Sequence, residues 1–170
     1  ISVTFTVSEE IQQTTAVASI MERPTAITCS PGSDLEPVTC VATQEVQQRD
    51  ISGLATFSMQ ISDLAGNNAD PIHATTDGSS VQIDTTPPSI VAISMQTADG
   101  LAVAGIGDTI VLSFTADEPL SSSSVEIAER MPDVSCDNSM MTCSALITVG
   151  ADDPEGVPSV LVDFTDLAGN

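Results

Sequence analysis

Carboxylates dominate the reactive side chains of this sequence. The 170 residues include 24 Asp and Glu, three Arg, no Lys and one His, for a formal net charge of −21. A catalytic carboxylate pair needs a pocket that collects it with a nucleophile or a base. His73 stands alone in a predicted loop, and Ser121–Ser124 is predicted to be a polar loop as well. The sequence therefore predicts that the protein is not an enzyme, and so dense a negative charge disfavours binding to nucleic acid and anionic membranes.

Four cysteines offer a second kind of chemistry. Cys29 and Cys40 are separated by ten residues, and Cys136 and Cys143 by six. These spacings, with a single His in the chain, do not fit a zinc site. Paired cysteines in an acidic protein indicate disulfides and an oxidising compartment, so we expect an extracellular or cell-surface protein. The sequence has no apolar run long enough to cross a membrane, and no direct membrane insertion is expected.

The sequence repeats itself. Asp63–Asn67 recurs as Asp166–Asn170, and Ile1–Thr6 is echoed by Ile110–Thr115. A period of roughly 100 residues suits whole tandem domains rather than a solenoid. Pro87 and Pro88 lie between the copies, where they cannot donate ladder hydrogen bonds and where they stiffen the joint.

We therefore predict two domains, 1–83 and 84–170. The first lacks its first strand and the second lacks its last. Of the three ways to pair four cysteines, only Cys29–Cys40 with Cys136–Cys143 keeps both disulfides within a repeat.

Apolar and polar residues alternate through both repeats, and no segment sustains a 3.6-residue period. The clearest alternation covers residues 53–62, and Cys143–Val149 also alternates. Arg23-Pro24 is expected to interrupt short strands, and Ser30–Asp34 to form a turn. Short strands separated by Gly, Pro and Asp turns predict an all-β fold of two Greek-key sandwiches. The expected core residues are Phe5, Phe57, Met59, Ile61, Ile110, Leu112, Phe114, Val160, Val162 and Phe164.

Five motifs, in order, resemble the bacterial-type immunoglobulin-like repeats of large extracellular adhesins. They are Asp84–Pro88, Ala98–Gly100, Gly107–Ile110, Phe114–Leu120 and Asp166–Asn170. The resemblance implies tandem immunoglobulin-like domains, partners that are neighbouring repeats of the same chain, and a spacer function. The cysteine pairs depart from the common pattern, because many such repeats lack them.

The same sandwich geometry suggests a metal site at the joint. The start of the first strand lies at the same end of a seven-strand sandwich as the loop after the second strand. Asp84 is therefore expected near Asp117 and Glu118, with Asp166 beside them, and Asp50 is offered by the first repeat. Such oxygen ligands suit Ca²⁺. The alternative interpretation is a solvated acidic rim.

The leading functional hypothesis is a stiff structural or adhesive segment of a stalk, fibre or surface adhesin. A sheet edge that lacks a strand would also let other copies join in a filament. The alternatives are a module that binds glycan or protein and a domain accessory to a secreted enzyme. The absence of Tyr and Trp disfavours the binding module, because loop-built binding sites usually present those residues.

Overall fold

Alternating apolar residues form strands in both halves of the chain. The computed structural model describes residues 1–12, 16–30 and 37–170, and these residues form fourteen strands and no helix. The all-β prediction is confirmed. The chain divides into two compact units, Ile1–Thr85 and Thr86–Asn170, two residues beyond the predicted boundary.

The first unit has eight strands in small antiparallel sheets. One sheet has the order β1-β5-β4, a second β3-β2-β7, and β6 pairs with β8. Phe5 lies opposite Cys40, and Ile20 lies opposite Phe57. The strands are β1 Ser2–Val7, β2 Val17–Ile20, β3 Arg23–Thr25, β4 Ile27–Cys29, β5 Val38–Thr43, β6 Gly53–Leu54, β7 Phe57–Gln60 and β8 Gln82–Ile83.

The segment after β7 returns along the edge of that strand. Met59 and Ile72 exchange two backbone hydrogen bonds of 2.9 Å, and the Ala69 N–H donates to the Ile61 carbonyl at 2.9 Å. Further along, the Ala55 N–H donates to the Val81 carbonyl at 2.9 Å. In the first unit, therefore, the edge of β6 and β7 opposite β2 is covered by the chain that follows.

Aliphatic and small side chains build the core of the first unit. Ala18, Ile20, Ala42 and Met59 form one buried cluster. Ile11, Val38 and Cys40 form another. Of the predicted core residues, Met59 is buried, whereas Phe5, Phe57 and Ile61 are half-buried beside these clusters.

The second unit has six longer strands. A four-stranded antiparallel sheet has the order β12-β13-β10-β9, and β11 pairs with β14. Phe114 of β10 lies opposite Cys143 on one side and Ile93 on the other. The strands are β9 Ile90–Thr97, β10 Thr109–Ala116, β11 Leu120–Ile127, β12 Val134–Cys136, β13 Thr142–Thr148 and β14 Val160–Asp166.

Residues from both sheets share the core of the second unit. Phe114 is 1% exposed and its ring centroid lies 6.4 Å from that of Phe164. Burying a side chain of this size contributes about 1.5–3 kcal/mol to folding. Ile110, Val162 and Phe164 are half-buried, but Val160 is exposed, so its predicted burial is wrong. The fully buried residues also include Leu112, Leu120, Val125, Ile127, Cys143 and Ala145.

Two local predictions are wrong. Ser121–Ser124 is not a loop but part of β11, paired with β14. Arg23-Pro24 does not break a strand but belongs to β3, an edge strand in which proline is tolerated. The predicted 53–62 strand is interrupted at Ala55 and Thr56, which separate β6 from β7. Pro31–Asp34 of the predicted turn lie outside the described residues.

Matching tight turns occur in the two units. Met21 and Glu22 have φ angles of 53° and 59°, and Ala128 and Glu129 have 49° and 62°. Two consecutive residues with positive φ are typical of the type I′ turn, whose twist matches a β-hairpin. An arginine follows each turn and pairs back across it.

Candidate functional site

Each of these arginines forms an ion pair with an aspartate of a distant loop. Arg23 Nη2 lies 2.8 Å from Asp50 Oδ2, and Arg130 Nη2 lies 2.8 Å from Asp153 Oδ2. The same aspartate oxygen accepts a backbone N–H three residues upstream, from Gln47 in the first unit and Gly150 in the second, at 2.7 Å in both. We call this arrangement the Arg–Asp clasp.

The two clasps differ in exposure. The side chains of Arg23 and Asp50 are 21% and 10% exposed, whereas those of Arg130 and Asp153 are 42% and 23% exposed. Arg23 Nη2 also donates to the Glu45 carbonyl at 2.7 Å. Each clasp ties a hairpin turn to the loop that follows β5 or β13, so its role is structural. Sequence reasoning missed it; the available signal was a Glu-Arg dipeptide at matching places in the two repeats.

Both predicted disulfides are confirmed. Cys29 bonds to Cys40 and Cys136 to Cys143, and the described residues contain no free cysteine. In each pair the two residues lie directly opposite each other on adjacent antiparallel strands. Each disulfide therefore joins neighbouring strands of one sheet within one unit.

The two Asp-Leu-Ala-Gly-Asn motifs are turns closed by their own aspartates. Asp166 Oδ1 accepts three backbone N–H groups, from Ala168, Gly169 and Asn170, at 2.7–2.9 Å. Asp63 accepts the backbone N–H and the side-chain amide of Asn67 at 2.8 and 2.7 Å. The predicted turn role of these aspartates is confirmed.

Hydrogen bonding stabilises the charged form of both aspartates. The Asn67 side-chain amide, with the backbone N–H of the same residue, lowers the pKa of Asp63 below its ordinary value of 3.8. The Asn170 side chain has the largest lowering effect on the pKa of Asp166, and the backbone N–H groups of the turn add to it. Asp166 is 1% exposed, so its carboxylate is buried within the turn that it closes.

Three of the predicted calcium ligands, Asp50, Asp84 and Asp117, make hydrogen bonds of known length. Asp50 belongs to the first clasp. Asp84, which follows β8, accepts a long hydrogen bond of 3.5 Å from the Ser52 hydroxyl. Asp117 accepts the backbone N–H and the hydroxyl of Ser89 at 2.8 and 2.7 Å. The Ser89 hydroxyl makes the largest contribution to lowering the pKa of Asp117.

The fourth predicted ligand, Glu118, lies beside an aspartate. One carboxylate oxygen of Glu118 is within 4.8 Å of one of Asp166. Two oxygens that share a Ca²⁺ ion each lie 2.3–2.6 Å from it, so this separation is compatible with a shared ion. The hydrogen bonds of the turn already occupy much of the Asp166 carboxylate.

The residues weighed for catalysis are His73 and Ser121–Ser124. His73 is exposed in the first unit. In β11, the Ser122 hydroxyl contacts the Thr165 hydroxyl at 2.6 Å, and the Ser121 hydroxyl contacts both Thr165 and the Asp166 carbonyl. These serines make cross-strand contacts to β14. The absence of enzymatic activity stays a prediction.

A cleft of about 630 Å³ opens in the second unit between the loops after β9 and β13. Ile110 and Ile147 line it together with Ile106, and the clasp residues Arg130 and Asp153 also face it. Such a mixture of apolar walls and an ion pair is compatible with a small ligand.

No protein-family model, curated protein or solved structure matches this chain. In the part of the chain that the structure describes, no helix is long and apolar enough to span a membrane.

Proposed function

We propose that this chain is a stiff spacer of an extracellular repeat protein, of the kind that forms a stalk, fibre or surface adhesin. In this proposal each unit is an immunoglobulin-like Greek-key sandwich. The sheet orders support it: β9-β10-β13-β12 with β11-β14 follows six of the seven strands of such a sandwich. Matching turns, clasps and disulfides in the two units support a tandem repeat of one design.

The observation that carries the proposal is the anchoring of the chain on both sides of the boundary. On the first side, the Thr85 hydroxyl donates to the Asp50 carbonyl at 2.8 Å, and the Thr85 N–H to the Ser52 hydroxyl at 3.1 Å. On the second side, Ser89 donates twice to Asp117 and its carbonyl accepts the Asp117 N–H at 3.0 Å.

Only three residues lie between these anchors. They are Thr86, Pro87 and Pro88, and each proline ring locks its own φ angle. So short a linker leaves few backbone rotations, whereas a flexible linker usually contains Gly and Ser over a longer span. This arrangement supports restricted motion between the units.

The disulfides and the acidic surface support an extracellular location. Disulfides persist in oxidising compartments, and a net charge of −21 keeps a repeat protein soluble and separate from its neighbours. Adhesion itself needs a ligand surface, so the spacer role is the better supported part of the proposal.

Calcium at the joint stays a proposal. Glu118 and Asp166 would supply two oxygens, and Asp84 precedes Thr86 by only two residues, a span of at most about 7 Å. Asp117 would contribute while keeping Ser89 bound. Asp50 would have to leave Arg23, so it is the weakest member of the predicted ligand set.

A ligand-binding module is the second candidate, because the second unit contains the cleft described above. Its apolar lining lacks the aromatic residues on which sugars usually stack. A domain accessory to an enzyme would also need to bind a ligand, so it would need such a site as well. A glycan or peptide that perturbs the amide signals of Ile106, Ile147 and Arg130 at micromolar concentration would favour this candidate over the spacer.

The spacer proposal is tested by measuring whether the two units tumble together. Residual dipolar couplings should give both units one shared alignment tensor in the wild type and separate tensors in Pro87→Gly/Pro88→Gly. Pro154→Gly/Pro158→Gly, in a loop of the second unit, is the matched control and should keep the shared tensor. Independent tensors in the wild type, with and without millimolar Ca²⁺, would remove the basis for a stiff spacer.

A calcium arm belongs to the same experiment. Ca²⁺ should shift the amide signals of residues 117–118 and 166–170, and Glu118→Gln should weaken that shift. Unchanged spectra in millimolar Ca²⁺ would show that these carboxylates form a solvated acidic rim.

A further inference from the structure

A short segment of the first unit contacts the clasp on one side and the start of the linker on the other. Residues 50–52 lie between β5 and β6. The Asp50 side chain accepts a hydrogen bond from Arg23, and the Asp50 backbone carbonyl accepts one from the Thr85 hydroxyl, at 2.8 Å in both cases. The clasp and the linker therefore meet in a single residue. We call residues 50–52 the bridging segment.

Arg23 contacts this region through a single nitrogen. Its Nη2 lies 2.8 Å from Asp50 Oδ2 and donates to the Glu45 carbonyl at 2.7 Å. The Nε and Nη1 atoms of Arg23 are buried and have no hydrogen-bond partner among the described residues. Burying donors without acceptors costs free energy, so a gain in stability alone does not explain this arginine. Its two bonds to oxygen go to residues 45 and 50, which flank one loop.

The Asp50 carboxylate also closes the turn that leads into the bridging segment. Its Oδ2 atom accepts the Gln47 N–H at 2.7 Å, and the Asp50 N–H donates to the Gln47 carbonyl at 2.8 Å. Arg23 joins this turn to the hairpin of β2 and β3. Because both the side chain and the N–H of Asp50 are bonded, the direction of its carbonyl is fixed as well.

The bridging segment holds Thr85, the last residue of the first unit. The Thr85 hydroxyl donates to the Asp50 carbonyl, and the Thr85 N–H donates to the Ser52 hydroxyl at 3.1 Å. Just beyond the segment, Gly53 of β6 pairs with Ile83 of β8. The end of the unit is thus attached to residues whose position the clasp determines.

We propose that Arg23 is a positioning residue for the linker. It holds Asp50 by the side chain, and Asp50 in turn presents the carbonyl that binds Thr85. Without the guanidinium group, the Asp50 carbonyl and the Ser52 hydroxyl remain in the chain but are no longer kept beside Thr85. The first clasp is therefore a conformational device that sets how firmly the end of the first unit is held.

This inference rests on the proposed spacer function, because it names a residue that fixes one end of the spacer's linker. Its test is separate, since it measures the protection of an amide within the first unit and not the motion of two units. Separate alignment tensors in the wild type would remove the spacer, yet the coupling of Arg23 to Thr85 would still be measurable. A shared tensor without that coupling would keep the spacer and remove this inference.

The test is the amide hydrogen exchange of residue 85, measured by NMR in the full chain. Arg23→Met should raise this exchange rate about three- to tenfold, the equivalent of one hydrogen bond, because the bond from Thr85 to Ser52 depends on the held segment. Val38→Ala is the matched control. Val38 is 8% exposed in the core of the same unit, but it begins β5, whereas Glu45 follows the other end of that strand. This change should destabilise the unit without altering the exchange of residue 85.

Two further variants distinguish positioning from a general loss of stability. Arg23→Lys should retain most of the protection of residue 85, because one charged nitrogen can replace Nη2 in both of its contacts to oxygen. Thr85→Val removes the hydroxyl that binds the Asp50 carbonyl. It should raise the exchange rate of residue 85 in the wild-type background and add little in the Arg23→Met background, because both changes break the same connection.

Three outcomes overturn the proposal. They are an unchanged exchange rate of residue 85 in Arg23→Met, an equal increase in Val38→Ala, and additive effects of Arg23→Met and Thr85→Val. Circular dichroism of each variant verifies that it folds. If Arg23→Met does not fold, Asp50→Asn takes its place under the same three criteria, since asparagine keeps an acceptor for the Gln47 N–H and removes the charge that holds Arg23.

Discussion

The Arg–Asp clasp gives the sharpest energetic prediction, because the chain contains it twice with different exposure. We consider Arg23→Met and Asp50→Asn, singly and together, and the parallel set Arg130→Met and Asp153→Asn. Methionine keeps most of the apolar stem of arginine, and asparagine keeps an acceptor for the backbone N–H. A double-mutant cycle then isolates the coupling between the two charges.

The expected magnitudes follow from exposure. Exposed ion pairs contribute about 0.2–1 kcal/mol, and hydrogen bonds to charged groups contribute about 1.5–3 kcal/mol when they are shielded from water. The second clasp, with Arg130 42% exposed, belongs near the lower range, and we expect a coupling of about 0.5 kcal/mol. The first clasp, with Asp50 10% exposed, should reach about 1.5 kcal/mol.

The assay must separate the two units. The chain has no Trp or Tyr for intrinsic fluorescence, so urea unfolding is followed by far-ultraviolet circular dichroism, with hydrogen-exchange mass spectrometry assigning each transition. High salt should reduce the second coupling by the larger fraction, because exposed charges are screened more. A second coupling equal to or larger than the first, or a first coupling near zero, would refute the link between exposure and strength.

Two further predictions use the same unfolding measurement. Phe114→Ala should destabilise the second unit by about 3–5 kcal/mol, because it leaves a cavity in the core. Val157→Ala, at a 92% exposed position, should change the free energy of unfolding little. Similar effects of the two substitutions would contradict the assigned core. The pKa values of folded Asp63 and Asp166 are lowered, so these side chains bind fewer protons in the folded chain than in the unfolded chain. The stability that they contribute is therefore present above pH 3.8 and is lost as the pH falls through their lower folded pKa values. Asp166→Asn should remove part of this acid dependence, and a constant difference from the wild type between pH 5 and pH 2 would count against the assignment.

The parts of the fold that sequence predicted are those where one face of a strand is buried. Leu112 and Phe114 lie on one face of β10, and they are fully buried because β10 has a neighbouring strand on each side. Val160 lies on the same face as Val162 and Phe164 at the start of β14, which among the described residues pairs only with β11, and it remains 38% exposed. Alternation predicts which face a side chain takes, but neighbouring strands decide whether that face is covered.

Ser121–Ser124 shows the opposite failure. Four serines carry no apolar alternation and resemble a loop, yet β11 continues through them. The adjacent Leu120 and Val125, each 1% exposed, fix the strand at both ends, and hydroxyl contacts to Thr165 join it to β14. Tertiary packing thus overrides the local preference of a polar segment.

The aspartate partner of each clasp arginine could not be predicted from the sequence, for a different reason. Arg23 and Asp50 are 27 residues apart, and Arg130 and Asp153 are 23 apart. No short-range spacing connects such pairs, because the hairpin turn and the loop after β5 or β13 meet only when the unit is folded. The disulfides were predictable because each joins cysteines that are close in sequence and occur at matching places in the repeat.

The clasps also affect where a trypsin-like protease can cut the folded chain. Such enzymes cut after Lys or Arg, because their specificity pocket carries a negative charge, and this chain offers only Arg23, Arg49 and Arg130. Arg23 and Arg130 have their guanidinium groups held by Asp50 and Asp153, and Arg23 is followed by proline. Arg49 is exposed in a loop and is the one arginine of the three outside a clasp. Digestion of the native protein should therefore begin with a single cut after Arg49, leaving the second unit whole.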